Sequence, residues 1–202
     1  MKSKFCIEKC CYKNDFDLDL SFLNPITRRR LSDIDKMTLF LLNECYENNT
    51  DTRIVFASRF GEFERLKKLI NQYKSDNEVS PNNFGMSVHN SPIGQFSLLN
   101  GIKTGYSSIA SEEDTFLRGF IQAVLYSKET DVLFCCADFI EGKIEGFCAL
   151  ITAKGGRCRF EIEYSDENEC KNPDMKDFYE LIEDKNKNEL QTKFFKLLKV
   201  YL

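Results

Sequence analysis

The sequence predicts an α/β fold with a mixed sheet, on three observations. Short apolar runs of strand length alternate with amphipathic segments of helical period along most of the chain. The runs RIVFAS (Arg53–Ser58) and VLFCCADF (Val132–Phe139) are apolar at nearly consecutive positions, as strands covered on both faces are. Two further runs, FCALITAK and RCRFEIEY, flank Gly155-Gly156, a hairpin signal that adds antiparallel strands to the sheet.

Taken in order, FCIEKCCY (Phe5–Tyr12) reads as a first strand, and the polar stretch after it ends in Pro25. From Thr27 onward, Leu31, Ile34, Met37, Leu41, Leu42 and Cys45 recur at three- and four-residue steps, which predicts one amphipathic helix. Asn48-Asn49-Thr50-Asp51 breaks it. After the strand at Arg53–Ser58, Gly61 lets the chain turn, and FERLKKLINQYKS predicts a helix with Phe63, Leu66, Leu69, Ile70 and Tyr73 on one side. Asp76 to Phe84 reads as a polar loop. Pro92–Leu99 predicts a helix with Pro92 in its first turn and Gly101 as its stop. Tyr106–Ala110 is a short strand. Ser111 followed by Glu112, Glu113 and Asp114 predicts a helix opened by a Ser N-cap and an acidic first turn, burying Phe116, Leu117, Phe120, Ala123 and Val124. EGKIEG (Glu141–Gly146) is a turn, and Ser165–Asp174 is polar. MKDFYELIED and NELQTKFFKLLKVYL predict two more helices, a helical C-terminal extension from about residue 174 on a single domain spanning 1–202.

A chain of 202 residues is long enough to bury a core without staples. Its net charge of −4 argues against nucleic acid as the main partner, because phosphate binding needs clustered Lys and Arg. No apolar run reaches the roughly 18–20 residues of a membrane span. The N-terminal MKSKFCIEKCCYKNDFD lacks the apolar core of a signal peptide, so the expectation is a cytoplasmic protein. Nine cysteines with no C-x-x-C pair, beside one histidine, offer no zinc set of standard spacing. They read as small buried hydrophobes in a reducing compartment. Neither a metal nor another cofactor is implied.

The stretch from Ser80 to Asp138 concentrates the unusual residues: the only histidine and two of the four prolines. Its string Pro81, Phe84, Ser87, Val88, His89, Asn90, Gly94, Ser97 resembles the N-terminal half of β-ketoacyl synthases, and in particular the small β-ketoacyl-synthase-like N-terminal domains. The segments Thr27–Met37 and Arg53–Glu62 fit the same resemblance, which covers most of residues 1–160. It implies one half of a thiolase-like α/β/α layered fold with a mixed sheet. In the full enzymes such a loop and short strand lead to a Cys nucleophile at a helix start, where free N–H groups favour the thiolate. Here that position falls on Ser111 or Glu112, and the nearest following cysteine is Cys135, on the next strand. The catalytic histidines of the full enzymes lie in a C-terminal half that 202 residues are not expected to contain.

The resemblance therefore implies a condensing scaffold without its chemistry, similar to the chain-length factors that lack the nucleophile. The expected function is a non-catalytic partner in fatty-acid, polyketide or aryl-polyene-type biosynthesis, with no catalytic residue assigned. A lone half exposes an apolar face, so a homodimer or a heterodimer with a ketosynthase is expected, touching through the strand Ser107–Ala110 and the helix after it. Ser87, His89, Asn90, Ser111 and Glu112 are the candidates for an acyl- or pantetheine-binding or vestigial site. Each also has a plainer role: turn fixing for Ser87, His89 and Asn90, helix capping for Ser111, and a solvated first-turn acid for Glu112. Arg28, Arg29 and Arg30 could dock an acidic acyl carrier protein, since guanidinium forks suit carboxylates and phosphates, or simply open a helix. Two alternatives stay open: an acyl transferase or thioesterase using Ser111 or His89, and a stand-alone acyl-binding module.

Overall fold

The computed structural model describes residues 2–140, 142–164 and 172–200. The elements are β1 (Lys2–Lys13), α1 (Pro25–Arg30), α2 (Asp33–Cys45), β2 (Arg53–Ala57), α3 (Phe63–Asp76), α4 (Pro81–Gly85), α5 (Ser91–Asn100) and β3 (Tyr106–Ile109). A single 3-10 turn (Glu112–Asp114) follows, then α6 (Thr115–Tyr126), β4 (Val132–Ile140), β5 (Lys143–Thr152), β6 (Cys158–Tyr164), α7 (Met175–Glu183), β7 (Glu189–Gln191) and β8 (Phe195–Val200). All eight strands form one sheet in the order β3-β2-β4-β5-β1-β6-β8-β7. The β3, β2 and β4 strands are parallel, and every other pairing is antiparallel, so the sheet is mixed as expected. Among the described residues no helix is long and apolar enough to cross a membrane.

Helices cover both faces. Val55 and Ala57 of β2, with Val132, Phe134 and Cys136 of β4, face the layer of α6 and α7. Ile54 and Phe56, with Leu133, Cys135 and Ala137, face α2 and α5. That double burial is the reason β2 and β4 read as unbroken apolar runs. In β1 the inward parity changes along the strand. Phe5 and Ile7 join the α6 face, and beyond the bulge between Ile7 and Lys9 it is Cys10 and Tyr12 that do so. One inserted residue shifts a period-2 pattern by one and so swaps its faces.

Three local expectations are corrected. The helix predicted from Thr27 is two helices. Asn24 caps α1, Leu31 is extended, and Ser32 restarts the chain as α2 with a reciprocal capping box to Asp35. Gly155-Gly156 is not a hairpin. Both β5 and β6 are antiparallel to β1 and lie on opposite sides of it, so the chain keeps its direction and steps across β1. Gly156 has φ +128°, and a Cβ there would sit 2.7 Å from the Cys6 Cβ, which is why glycine occupies the crossing. The last predicted helix is instead the hairpin β7–β8, with β8 paired along β6. FKLLKV satisfies a period of two as well as a helical one, and the open edge of β6 selects the strand. Phe195 and Leu197 point inward on it. Two smaller differences concern helix starts: Pro81–Gly85 forms a short helix inside the expected loop, and the helix expected from Ser111 begins at Thr115 after the 3-10 turn. Glu141 of the predicted EGKIEG turn, and residues 165–171 of the polar stretch, lie outside the described residues.

The α6 helix approaches the sheet through Gly119. A Cβ there would stand 2.7 Å from the Ala57 Cβ and 2.9 Å from Phe134 Cε2, both buried. Gly119→Val should therefore overpack this layer and cost about 1–3 kcal/mol, measured as a lowered urea midpoint at unchanged m-value.

Candidate functional site

The carboxyl ends of the three parallel strands lie together, the place where open α/β sheets carry their sites. Ser58 follows β2, Ser108 lies near the end of β3, and Asp138 lies near the end of β4. Asp138 is buried and gathers the turn after β2. It accepts the Ser58 hydroxyl at 2.8 Å and the backbone N–H of Arg59 and Phe60, the latter at 3.1 Å, while Gly61 N–H donates to Ser58 Oγ at 2.8 Å. Burial raises the Asp138 pKa, and these donors oppose the rise.

His89 enters from the connection between α4 and α5. Its Nε2 lies 2.7 Å from the Ser58 carbonyl, and its Nδ1 is hydrogen-bonded to Ser108 Oγ. A carbonyl only accepts, so Nε2 carries the proton, and Nδ1 of the neutral ring accepts from the Ser108 hydroxyl. Phe56 lies under the ring, with centroids 5.5 Å apart. Gly61 lies against its edge at φ +50°, and a Cβ there would stand 2.7 Å from His89 Cδ2. Next along the chain, Asn90 Nδ2 donates to the Tyr106 hydroxyl at 3.4 Å.

The other predicted candidates separate from this cluster. The Ser87 hydroxyl donates to the Phe84 carbonyl at 2.8 Å and closes its own turn. Ser111 makes no side-chain cap; its N–H donates to Thr115 Oγ1, which donates in turn to the Glu112 carbonyl at 2.7 Å. Thr115 thus ties the turn together, and no side chain caps the first turn of α6. Glu112 has φ +48° and an exposed side chain. A non-glycine residue in that left-handed region costs about 1–3 kcal/mol, and a strained strand-to-helix junction is how an elbow presents a side chain. Asp114 is structural: it accepts from Asn172 at 2.9 Å and faces Arg118 and Lys193. Among the described residues no hydrogen bond joins Ser111 or Glu112 to His89 or Asn90.

The eight described cysteines are free, and none lies on the elbow. Burial pushes the Cys136 and Cys148 thiols far up and the Cys11 thiol up to about 12. Arg28, Arg29 and Arg30 form the last turn of α1, where cations suit the helix dipole; Arg29 and Arg30 are exposed and Arg28 is half-buried.

Sequence reasoning missed two features. One is Ser108, whose residue type on an edge strand carries no signal until His89 is placed beside it. The other is an ionic node between α2 and α3. Arg65 donates to Glu62 Oε2 at 2.8 Å, to Asp35 Oδ2 at 3.1 Å and to the Arg30 carbonyl at 3.2 Å, and the Ser32 hydroxyl donates to Glu62. This node lines a groove of about 890 Å³ that also reaches Phe60 and Gly61. Outside the node α3 is lightly held: only Leu69 is buried, while Phe63, Leu66, Ile70 and Tyr73 are exposed. Burial, reinforced by Glu62, pushes the Asp35 carboxyl up to about 7.

Residues 7–143 match the family of the β-ketoacyl synthase N-terminal domain, and the chain belongs to that family. No curated protein matches it. Among solved structures, a chain of the ketosynthase ApeO in complex with its chain length factor ApeC, from Xenorhabdus doucetiae, superposes with a TM-score of 0.74 at 18% identity, over 98% of this chain and 99% of that one. A chain of the ishigamide ketosynthase/chain length factor gives a TM-score of 0.62 at 13% identity, over 75% of this chain and 53% of that chain. A chain of the AntDE:AntF complex, a type II polyketide acyl-carrier protein with its ketosynthase, gives a TM-score of 0.58 at 11% identity, over 75% of this chain and 59% of that chain. This chain thus spans the length of the first and between half and three-fifths of the other two. The shared fold is the thiolase-like layered α/β architecture of ketosynthases.

Two outcomes follow from this geometry. The folded state keeps the Asp35 proton up to about pH 7, whereas the unfolded chain releases it near the ordinary 3.8, so this group's contribution to stability falls as pH rises between those values and is level above them. Thermal midpoints recorded from pH 4.5 to 8.5 should show that decline, on the order of a few kcal/mol in all, and Asp35→Asn should flatten it. Gly61→Ala should displace the His89 ring from the Ser58 carbonyl and lower stability by about 1–3 kcal/mol. The single histidine makes its imidazole resonances an unambiguous readout.

Proposed function

We propose that this chain is a non-catalytic, chain-length-factor-like partner of a ketosynthase, acting in the cytoplasm in fatty-acid, polyketide or aryl-polyene-type biosynthesis. The elbow after β3 carries the reading. A condensing enzyme holds its growing chain there as a thioester on a cysteine. This chain presents Glu112 at φ +48°, and its described cysteines lie elsewhere. An exposed carboxylate forms no thioester, so the Claisen step has no acceptor at that position.

The likeness in fold to a chain of a ketosynthase–chain length factor complex, over nearly the whole of both chains, supports the same reading. So does the free sheet edge. The β3 strand has four residues, pairs with β2 on one side only, and bears the exposed Tyr106. An unpaired edge of this kind is a template for a second chain. The partner is placed there, as a ketosynthase in a heterodimer or as a second copy of this chain, with the helix α6 beside it. Arg28, Arg29 and Arg30 are the proposed docking point for an acidic acyl carrier protein, and Ser87, His89, Asn90, Ser111 and Glu112 the remnant of an acyl site.

The test is co-expression with ketosynthases and acyl carrier proteins from the same genome, followed by size-exclusion chromatography with light scattering. A one-to-one complex is expected. Tyr106→Asp should weaken it at least tenfold, about 1.4 kcal/mol. Reversing the charge at Arg28, Arg29 and Arg30 should abolish carrier retention and leave the ketosynthase bound. A strictly monomeric chain that retains no partner would sink the proposal.

A further inference from the structure

The pair of Ser108 and His89 is more than a loop fastening. Ser108 is exposed near the end of the edge strand β3, and its hydroxyl meets a ring nitrogen whose free lone pair is set by the other end of the ring. Two contacts fix the ring, Ser108 hydroxyl to His89 Nδ1 and His89 Nε2–H to the Ser58 backbone carbonyl, and the Ser58 hydroxyl separately donates to the buried Asp138. The carbonyl holds the tautomer that makes Nδ1 a base. The ring itself has little freedom, with Phe56 under it and Gly61 against its edge. A nucleophile hydrogen-bonded to a base, with the base held by a third group, is the arrangement that activates a hydroxyl.

The surroundings suit an acyl group. Tyr106 and Ser108 pair in register with Ile54 and Phe56, so the two side chains share one sheet face, two residues apart. The Tyr106 hydroxyl accepts from Asn90 at 3.4 Å. Gly61, which lies against the His89 ring, also lines the groove of about 890 Å³ together with Phe60.

We infer that Ser108 is an activated serine nucleophile, with His89 as its general base, that accepts an acyl group from an activated acyl donor. The Ser108 Oγ–H proton passes to His89 Nδ1 as Oγ attacks the acyl carbonyl. The new bond is Oγ–C, the bond that breaks is carbon to the leaving sulfur, and the proton goes from His89 to the departing thiolate. The products are a serine ester and a free thiol. The ester is a covalent hold on an acyl chain without turnover, so it extends the non-catalytic role proposed above; that the donor is a thioester rests on that role, and the reactivity of Ser108 does not. The site is also distinct from the elbow, because Ser111 meets no base.

The full chain is treated with a fluorophosphonate probe and, separately, with p-nitrophenyl butyrate, and the adduct is located by intact mass and peptide mapping. A single adduct on Ser108 is expected. Ser108→Ala should abolish it. Ser107→Ala, on the opposite face of the same strand, should label like the native chain. His89→Gln should slow labelling at least a hundredfold, the scale of general-base catalysis. An adduct on Ser111, or no adduct on a chain whose circular dichroism is native, overturns the inference. Labelling without ketosynthase binding overturns only the proposed function, and ketosynthase binding without labelling overturns only the nucleophile.

Discussion

The structure depends on the contacts of one ring. Phe120 of α6 packs edge-on or stacked against Phe5, Phe116, Phe134, Phe178 and Phe195 at centroid distances of 5.1 to 6.5 Å. Those partners come from β1, α6 itself, β4, α7 and β8, so a single buried side chain joins the first strand, the middle of the sheet and the last strand. Aromatic pairs in such geometries add about 0.5–1.5 kcal/mol each beyond the area they bury. The chain spends its many phenylalanines here and carries no tryptophan. Gly119 completes the arrangement, because only a residue without Cβ lets α6 descend far enough for Phe120 to reach the cluster.

Once α6 is seated, the ends of the parallel strands are set. The strand β3 precedes α6 directly and pairs with β2 through Ile54 to Ala57. That register places Ser108 beside Phe56 and brings both to His89. The turn after β2 is then held by Asp138 through the Ser58 hydroxyl and two backbone donors. The site is thus a consequence of sheet registry, and the only histidine acts as the clasp between a loop and an edge strand. The face of the chain beyond α2 is held differently. There α3 is fastened by Arg65 to two carboxylates, one of them completely buried, while its apolar stripe stays open.

Much of the fold was legible in the sequence. Continuous apolar runs located β2 and β4, the three- and four-residue steps located α2 and α3, and start and stop signals located α5 and α6. What was misread shares one cause. Gly155-Gly156, the C-terminal FKLLKV and the break at Leu31 are each compatible locally with two conformations. The choice among them is made by a partner strand or a cap that no local window contains. Gly155-Gly156 could reverse the chain or sidestep it, and the presence of β1 between β5 and β6 decides. The site was half legible. His89 and Asn90 stood out by rarity and by family resemblance, whereas Ser108 is one of many serines, and Asp35 and Glu62 read as ordinary helix acids.

The sequence alone determined the α/β class, the family and the replacement of the elbow cysteine, because composition, periodicity and residue identity are properties of the chain itself. The tertiary structure alone decided which serine the histidine meets, which carboxylates are buried, and how the C-terminal strands extend the sheet. These are relations between residues distant along the chain. His89 and Ser108 are separated by a whole helix, Ser58 and Asp138 by eighty positions, and only the strand register brings each pair within hydrogen-bond reach.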